Sequence, residues 1–116
     1  MPRFLAVMLL LLVTASPLVS PALGAVAGPT AVVVLHGKLG APDRLVVEFA
    51  AQLSASGFLV VTPEMPWSRG REFAESFDVG LREIDVAVRG LRAKGASLVV
   101  VAGHSLGGNA ALAYAA

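Results

Sequence analysis

The chain is 116 residues long, room for one domain at most, and 56% of it is hydrophobic. Nine basic and eight acidic residues give a formal net charge of +1 with no run of like charge, which excludes a nucleic-acid footprint. The absence of cysteine excludes a disulfide framework, a thiolate metal site, a cysteine nucleophile and a lipid-modified cysteine.

The first segment accounts for part of the high mean hydropathy of +0.77. Arg3 supplies a positive start, Phe4 to Val13 is an unbroken apolar run, and Ala25-Val26-Ala27 is a small-x-small cleavage site. Those parts in that order predict a secretory signal peptide over residues 1–27. The apolar run is about half the ~20 residues a spanning helix needs, and Pro17 and Pro21 follow it. The expected location is therefore outside the cytoplasm, periplasmic or secreted, with membrane contact only through this segment. The alternative is a chain anchored by an uncleaved signal.

Residues 28–116 alternate strand and helix. Ala31-Val32-Val33-Val34-Leu35 is a short continuous apolar run, as expected of a strand buried on both faces. A helix follows, with Pro42 in its first turn, an apolar stripe at Leu45, Val46, Phe49, Ala50 and Leu53, and Gly57 as its stop. Phe58 to Thr62 is the second strand, ended by Pro63. A second helix carries Leu81, Ile84, Val88 and Leu91 on one face and closes near Gly95. Ser97 to Ala102 is the third strand, and an Ala-rich helix runs from Asn109 to Ala116. This order predicts an α/β fold with a mostly parallel sheet, right-handed crossovers and flanking helices.

Between the third strand and the last helix lies Gly103-His104-Ser105-Leu106-Gly107-Gly108. Strand, G-x-S-x-G, helix is the setting in which a serine sits on a strained turn with its hydroxyl exposed as a nucleophile. Gly103 and Gly107 are expected where a Cβ would strike the neighbouring strand or helix. The Leu106 amide, at the helix N-terminus, is the expected donor to the oxyanion that forms when Ser105 attacks a carbonyl. The alternative is a glycine-rich turn whose serine only caps the helix.

Two further stretches follow strand ends. His36-Gly37 after the first strand lets the backbone turn its amides inward, with Lys38 or Leu39 as the second oxyanion donor. The His36 imidazole itself reads as a structural group tying that loop down. The connection from Pro63 to about Asp78 leaves the end of a parallel strand, where open α/β sheets place ligands. Trp67 there is assigned to the substrate pocket, and Arg69 or Arg71 to an anionic group on the substrate. The alternative is a surface loop pinned by buried aromatics. Metal, nucleotide and flavin sites have no support: Gly103 to Gly108 lacks the lysine of a phosphate loop, and no cofactor is expected.

Leu35-His36-Gly37, the Gly-Phe-Leu-Val-Val-Thr-Pro run at 57 to 63 and the Gly-His-Ser-Leu-Gly-Gly turn together resemble the α/β-hydrolase superfamily, over roughly Ala31 to Ala116. The resemblance implies an esterase, a lipase, a dienelactone-hydrolase-like enzyme or a related acyl hydrolase. In it Ser105 would be the nucleophile, and Leu106 with Lys38 or Leu39 the oxyanion hole. The partner would be a small-molecule ester or acyl substrate. The family's chain order is nucleophile, acid, histidine, yet neither acid nor histidine follows Ser105. His104 precedes it and should diverge from its hydroxyl. The expectation is the N-terminal part of a hydrolase domain at residues 28–116, truncated after the nucleophile turn. A catalytically silent fragment or binding module, pairing with another polypeptide through an open sheet edge, is the alternative.

Overall fold

The apolar run at residues 31–35 becomes the central strand. In the computed structural model, which describes residues 28–116, β1 (Thr30–Leu35) lies between β2 (Leu59–Val61) and β3 (Leu98–Gly103), and both pairings are parallel. Ala31 stands opposite Leu59 and Val99, and Val33 opposite Val61 and Val101. The proposed signal segment lies outside the described residues. Among those described, no helix is long and apolar enough to cross a membrane.

The pleat sends alternate residues of β1 to two separate cores. Ala31, Val33 and Leu35 pack with Ile84, Val88 and Leu91 of α2 (Phe77–Ala93) and with Ala110 of α3 (Leu106–Ala115). Met65 and Trp67, from the β2–α2 connection, complete that core. Val32 and Val34 face the other way, toward Val46 and toward Ala50 of α1 (Val47–Ala55). Each fully buried Val, Leu or Ile contributes roughly 1.5–3 kcal/mol, so the two-sided burial of β1 makes it the anchor of the fold.

The helices are bounded by local chemistry. Gly57 and Gly95 adopt φ of 95° and 97°, and the amides of Phe58 and Ala96 reach back to the carbonyls of Leu53 and Leu91. That is the 6→1 bond of a left-handed helix stop, a conformation that costs glycine little. At the start of α2 the Ser76 hydroxyl accepts the Val79 amide at 3.3 Å.

Two helix starts differ from the sequence-based expectation, and one edge strand is more exposed than its apolar sequence suggests. Residues 42–46 form turns, and α1 begins only at Val47. The apolar stripe consequently splits: Val46, Ala50 and Leu53 face the sheet, whereas Leu45 and Phe49 stay exposed. The last helix begins at Leu106, three residues before Asn109, because the turn is tight enough for the helix to start directly after Ser105. Only β1 is buried on both faces. β3 is an edge strand in the sheet, and Leu98 and Val100 remain 53% and 43% exposed on the side that the short α1 does not cover.

Candidate active site

Ser105 occupies φ 54°, ψ −120°, a conformation that costs a non-glycine residue about 1–3 kcal/mol and persists only where the surroundings enforce it. The enforcement is visible on both sides. The His104 amide donates to the Leu35 carbonyl at 3.0 Å, tying the turn to the end of β1. The Ser105 carbonyl then accepts from Gly108 and Asn109 at 2.9 and 3.2 Å, so the first turn of α3 begins on the serine itself. A Cβ on Gly103 would collide with the Gly107 backbone, and one on Gly107 would lie 2.5 Å from the Leu35 oxygen. Both positions are closed to any side chain by backbone.

The Ser105 hydroxyl makes no capping bond to α3, which removes the helix-cap alternative. The side chain of Ser105 is exposed at a cleft of about 150 Å³ lined by His36, Gly37, Lys38, Gly40 and His104. Gly37 is pressed against the turn, where a Cβ would stand 3.2 Å from both the Ser105 Cβ and His104 Nδ1. Among the described residues, the amides of Leu106 and Lys38 have no hydrogen-bond partner in the chain.

Leu39, the other candidate for the second donor, is corrected by the structure. Its amide donates to the Trp67 carbonyl at 2.7 Å, so it has no hydrogen to offer an oxyanion. Lys38 is the candidate that remains; its ammonium lies 6.0 Å from the centre of the exposed Phe73 ring.

Trp67 is also corrected. It is 1% exposed, stacks on Phe77 with ring centres 5.8 Å apart, and donates its Nε1 hydrogen to the His36 carbonyl at 2.9 Å. It lines no part of the cleft at Ser105. The arginine assignment narrows too. Arg71 is held by both carboxylate oxygens of Glu83, at 2.8 and 2.7 Å, and donates to the Glu64 carbonyl at 2.9 Å. The hydrogen bond to Glu83 raises its pKa further, and three of its five guanidinium donors are taken up within the protein. Arg69 keeps its guanidinium outside any ion pair among the described residues, while its amide donates to the Gly40 carbonyl at 2.9 Å.

His36 is 2% exposed, and its Nε2 accepts the Met65 amide at 3.0 Å. That acceptor role puts the ring proton on Nδ1, which donates to the Gly37 carbonyl at 2.9 Å. The imidazole thus joins the loop after β1 to the loop after β2. His104 is exposed at the cleft, and neither histidine hydrogen-bonds the Ser105 hydroxyl. Sequence reasoning missed Gly80, where a Cβ would lie 2.7 Å from the Trp67 ring. The available signal was a glycine inside a helical pattern. Among the described residues, no three His, Cys, Asp or Glu side chains converge on a metal-sized site.

The arrangement combines an uncapped serine hydroxyl on a strained turn, two backbone donors without partners and the positive end of α3, a setting suited to negative charge developing next to Ser105. No curated protein and no solved structure matches the chain. A model of the alpha/beta hydrolase family matches residues 32–116. Apart from Thr30 and Ala31 at the start of β1, the parallel β2-β1-β3 sheet, its flanking helices and the turn at Ser105 fall within that match, and the chain belongs to the alpha/beta hydrolase family.

Proposed function

We propose that this chain carries the nucleophile and oxyanion hole of a serine hydrolase acting on ester or related acyl bonds. The observation that carries the reading is the Ser105 hydroxyl, free of any capping bond at φ 54°, beside the unpartnered amides of Leu106 and Lys38. In this reading Ser105 Oγ bonds to the acyl carbon and its proton passes to a base. The two amides hold the carbonyl oxygen as it becomes negative, and the alcohol leaves with a proton. Water then releases the acyl group from Ser105. The base and its supporting acid are a histidine and a carboxylate outside these 116 residues, because neither His36 nor His104 meets the hydroxyl. The protein is exported by its first 27 residues.

A fluorophosphonate probe tests this directly: the serine oxygen bonds to phosphorus and fluoride leaves. Protein from its natural source should gain one probe mass on the peptide containing Ser105, with esterase turnover that Ser105→Ala abolishes. Labelling at another residue, or turnover that survives Ser105→Ala, would overturn the reading.

A second reading is a catalytically silent module that pairs with another polypeptide along β3. Exposed Leu98 and Val100 on that edge strand favour it. Intact mass and sedimentation of the natural protein separate the two. A mass near 11.9 kDa or slightly below, bound to a partner and inert to the probe, supports the module.

A further inference from the structure

We propose that Trp67 is a positioning residue for the oxyanion hole, an inference that rests on the serine hydrolase reading above. Trp67 grips the loop after β1 at two points. Its Nε1 hydrogen goes to the His36 carbonyl at 2.9 Å, and its own carbonyl takes the Leu39 amide at 2.7 Å. Those belong to the peptide groups on either side of the Gly37–Lys38 peptide. The peptide between them carries the Lys38 amide, which has no partner among the described residues.

The clamp is itself rigidly seated. Trp67 is 1% exposed, stacked on Phe77 at the start of α2, and set against Gly80, where a Cβ would lie 2.7 Å from its ring. Two parallel struts support the same junction, from the Met65 amide to His36 Nε2 and from the Arg69 amide to the Gly40 carbonyl. The donor loop is therefore cast against residues 65–69, and only its Gly37 side abuts Ser105. An amide aimed in advance stabilises an oxyanion without reorganising during the reaction, which is why a clamp at this place acts on catalysis.

Trp67 is the only tryptophan of these 116 residues, and site-specific incorporation at codon 67 replaces its indole N–H alone in the full enzyme. Benzothienylalanine at that codon puts sulfur in place of the Nε1–H group and keeps the ring's shape; Trp67→Phe is the genetic counterpart. The readouts are p-nitrophenyl butyrate turnover and inhibition by butylboronic acid. The boronic acid forms a tetrahedral adduct when Ser105 Oγ bonds to boron and its proton passes to the base. Loosening one donor should lower kcat about tenfold with KM held within about twofold, and weaken boronate inhibition by the same factor. Val88→Ala, remote from the cleft, should lower Tm and leave kcat and boronate inhibition unchanged.

If the isosteric protein keeps both the kcat and the boronate affinity of the natural one, the inference is overturned while the hydrolase reading stands. Should Trp67→Phe not fold, the isostere alone decides. Absence of any Ser105-dependent hydrolysis in the unsubstituted protein removes the hydrolase reading and this inference with it.

Discussion

Replacing Gly107 with alanine separates the geometry of the turn from ordinary helix energetics, because the two pull in opposite directions. Gly107 is in the first turn of α3, and an alanine for glycine in a helix interior is ordinarily worth about 1 kcal/mol of added stability. At this position the new Cβ would stand 2.5 Å from the Leu35 oxygen, 2.6 Å from the His36 oxygen and 2.9 Å from the Leu35 carbonyl carbon. All three obstacles are backbone at the end of the most buried strand, so no side chain can rotate out of the way. Relief requires α3 to retreat from β1 by roughly 0.5 Å or more, and forcing a group into a filled site of this kind costs about 1–3 kcal/mol. The collision outweighs the propensity gain, and the predicted change is a net loss. For a domain of this size each kcal/mol corresponds to about 4–8 °C in Tm. The retreat also shifts the Leu106 amide relative to the loop after β1, and displacement approaching 1 Å in an oxyanion donor costs up to about a hundredfold in reactivity. Gly90, in the interior of α2, is the control: nothing lies within 4 Å of its Cβ position, so Gly90→Ala should be stabilising by about 0.5–1 kcal/mol. Thermal unfolding followed by circular dichroism, with fluorophosphonate labelling rates on the same samples, gives both quantities. A Gly107→Ala protein as stable as Gly90→Ala and labelled within twofold of the natural rate would refute the close approach of α3 to β1.

Two other expectations concern the core and the α2–α3 contact. Ile84→Ala empties a fully buried position between α2 and β1 and should lower the unfolding free energy by about 2–5 kcal/mol, whereas Val86→Ala, on the exposed side of the same helix, should stay within about 0.5 kcal/mol; equal urea midpoints for the two would contradict the assigned helix face. Tyr114 has its pKa raised above 10.0, first by burial and then by its hydrogen bond to Asp85 at 3.0 Å. The folded state therefore favours the protonated phenol, so its contribution is complete below pH 10, is lost as pH rises through the raised value, and is absent in Tyr114→Phe. Because it is the only tyrosine, tyrosinate absorbance reports it alone; a folded midpoint at or below that of the urea-unfolded chain would exclude the burial argument.

Much of the fold was legible because it is encoded within a few neighbouring residues. The run Ala31 to Leu35 has no polar residue to place in water, which marks a strand buried on both sides, and the glycines at 57 and 95 mark helix ends. The G-x-S-x-G turn at 103–107 was legible for the same reason, since its strain and its close contacts are local backbone facts. What the sequence left open was decided by partners some thirty residues away. Lys38 and Leu39 are equivalent candidates on paper. The Leu39 amide is spent on the carbonyl of Trp67, which reaches it because β2 pairs beside β1 and delivers its following loop to the same end of the sheet. Trp67, assigned to a substrate pocket by its place after a strand, turned inward because α2 offers Gly80 and Phe77 as a seat and the His36 carbonyl as its hydrogen-bond partner lies within reach. Local pattern determines which residues can form a strand, a stop or a strained turn. Which of two amides stays free depends on the register and layering of the whole sheet, and only the tertiary structure contains that.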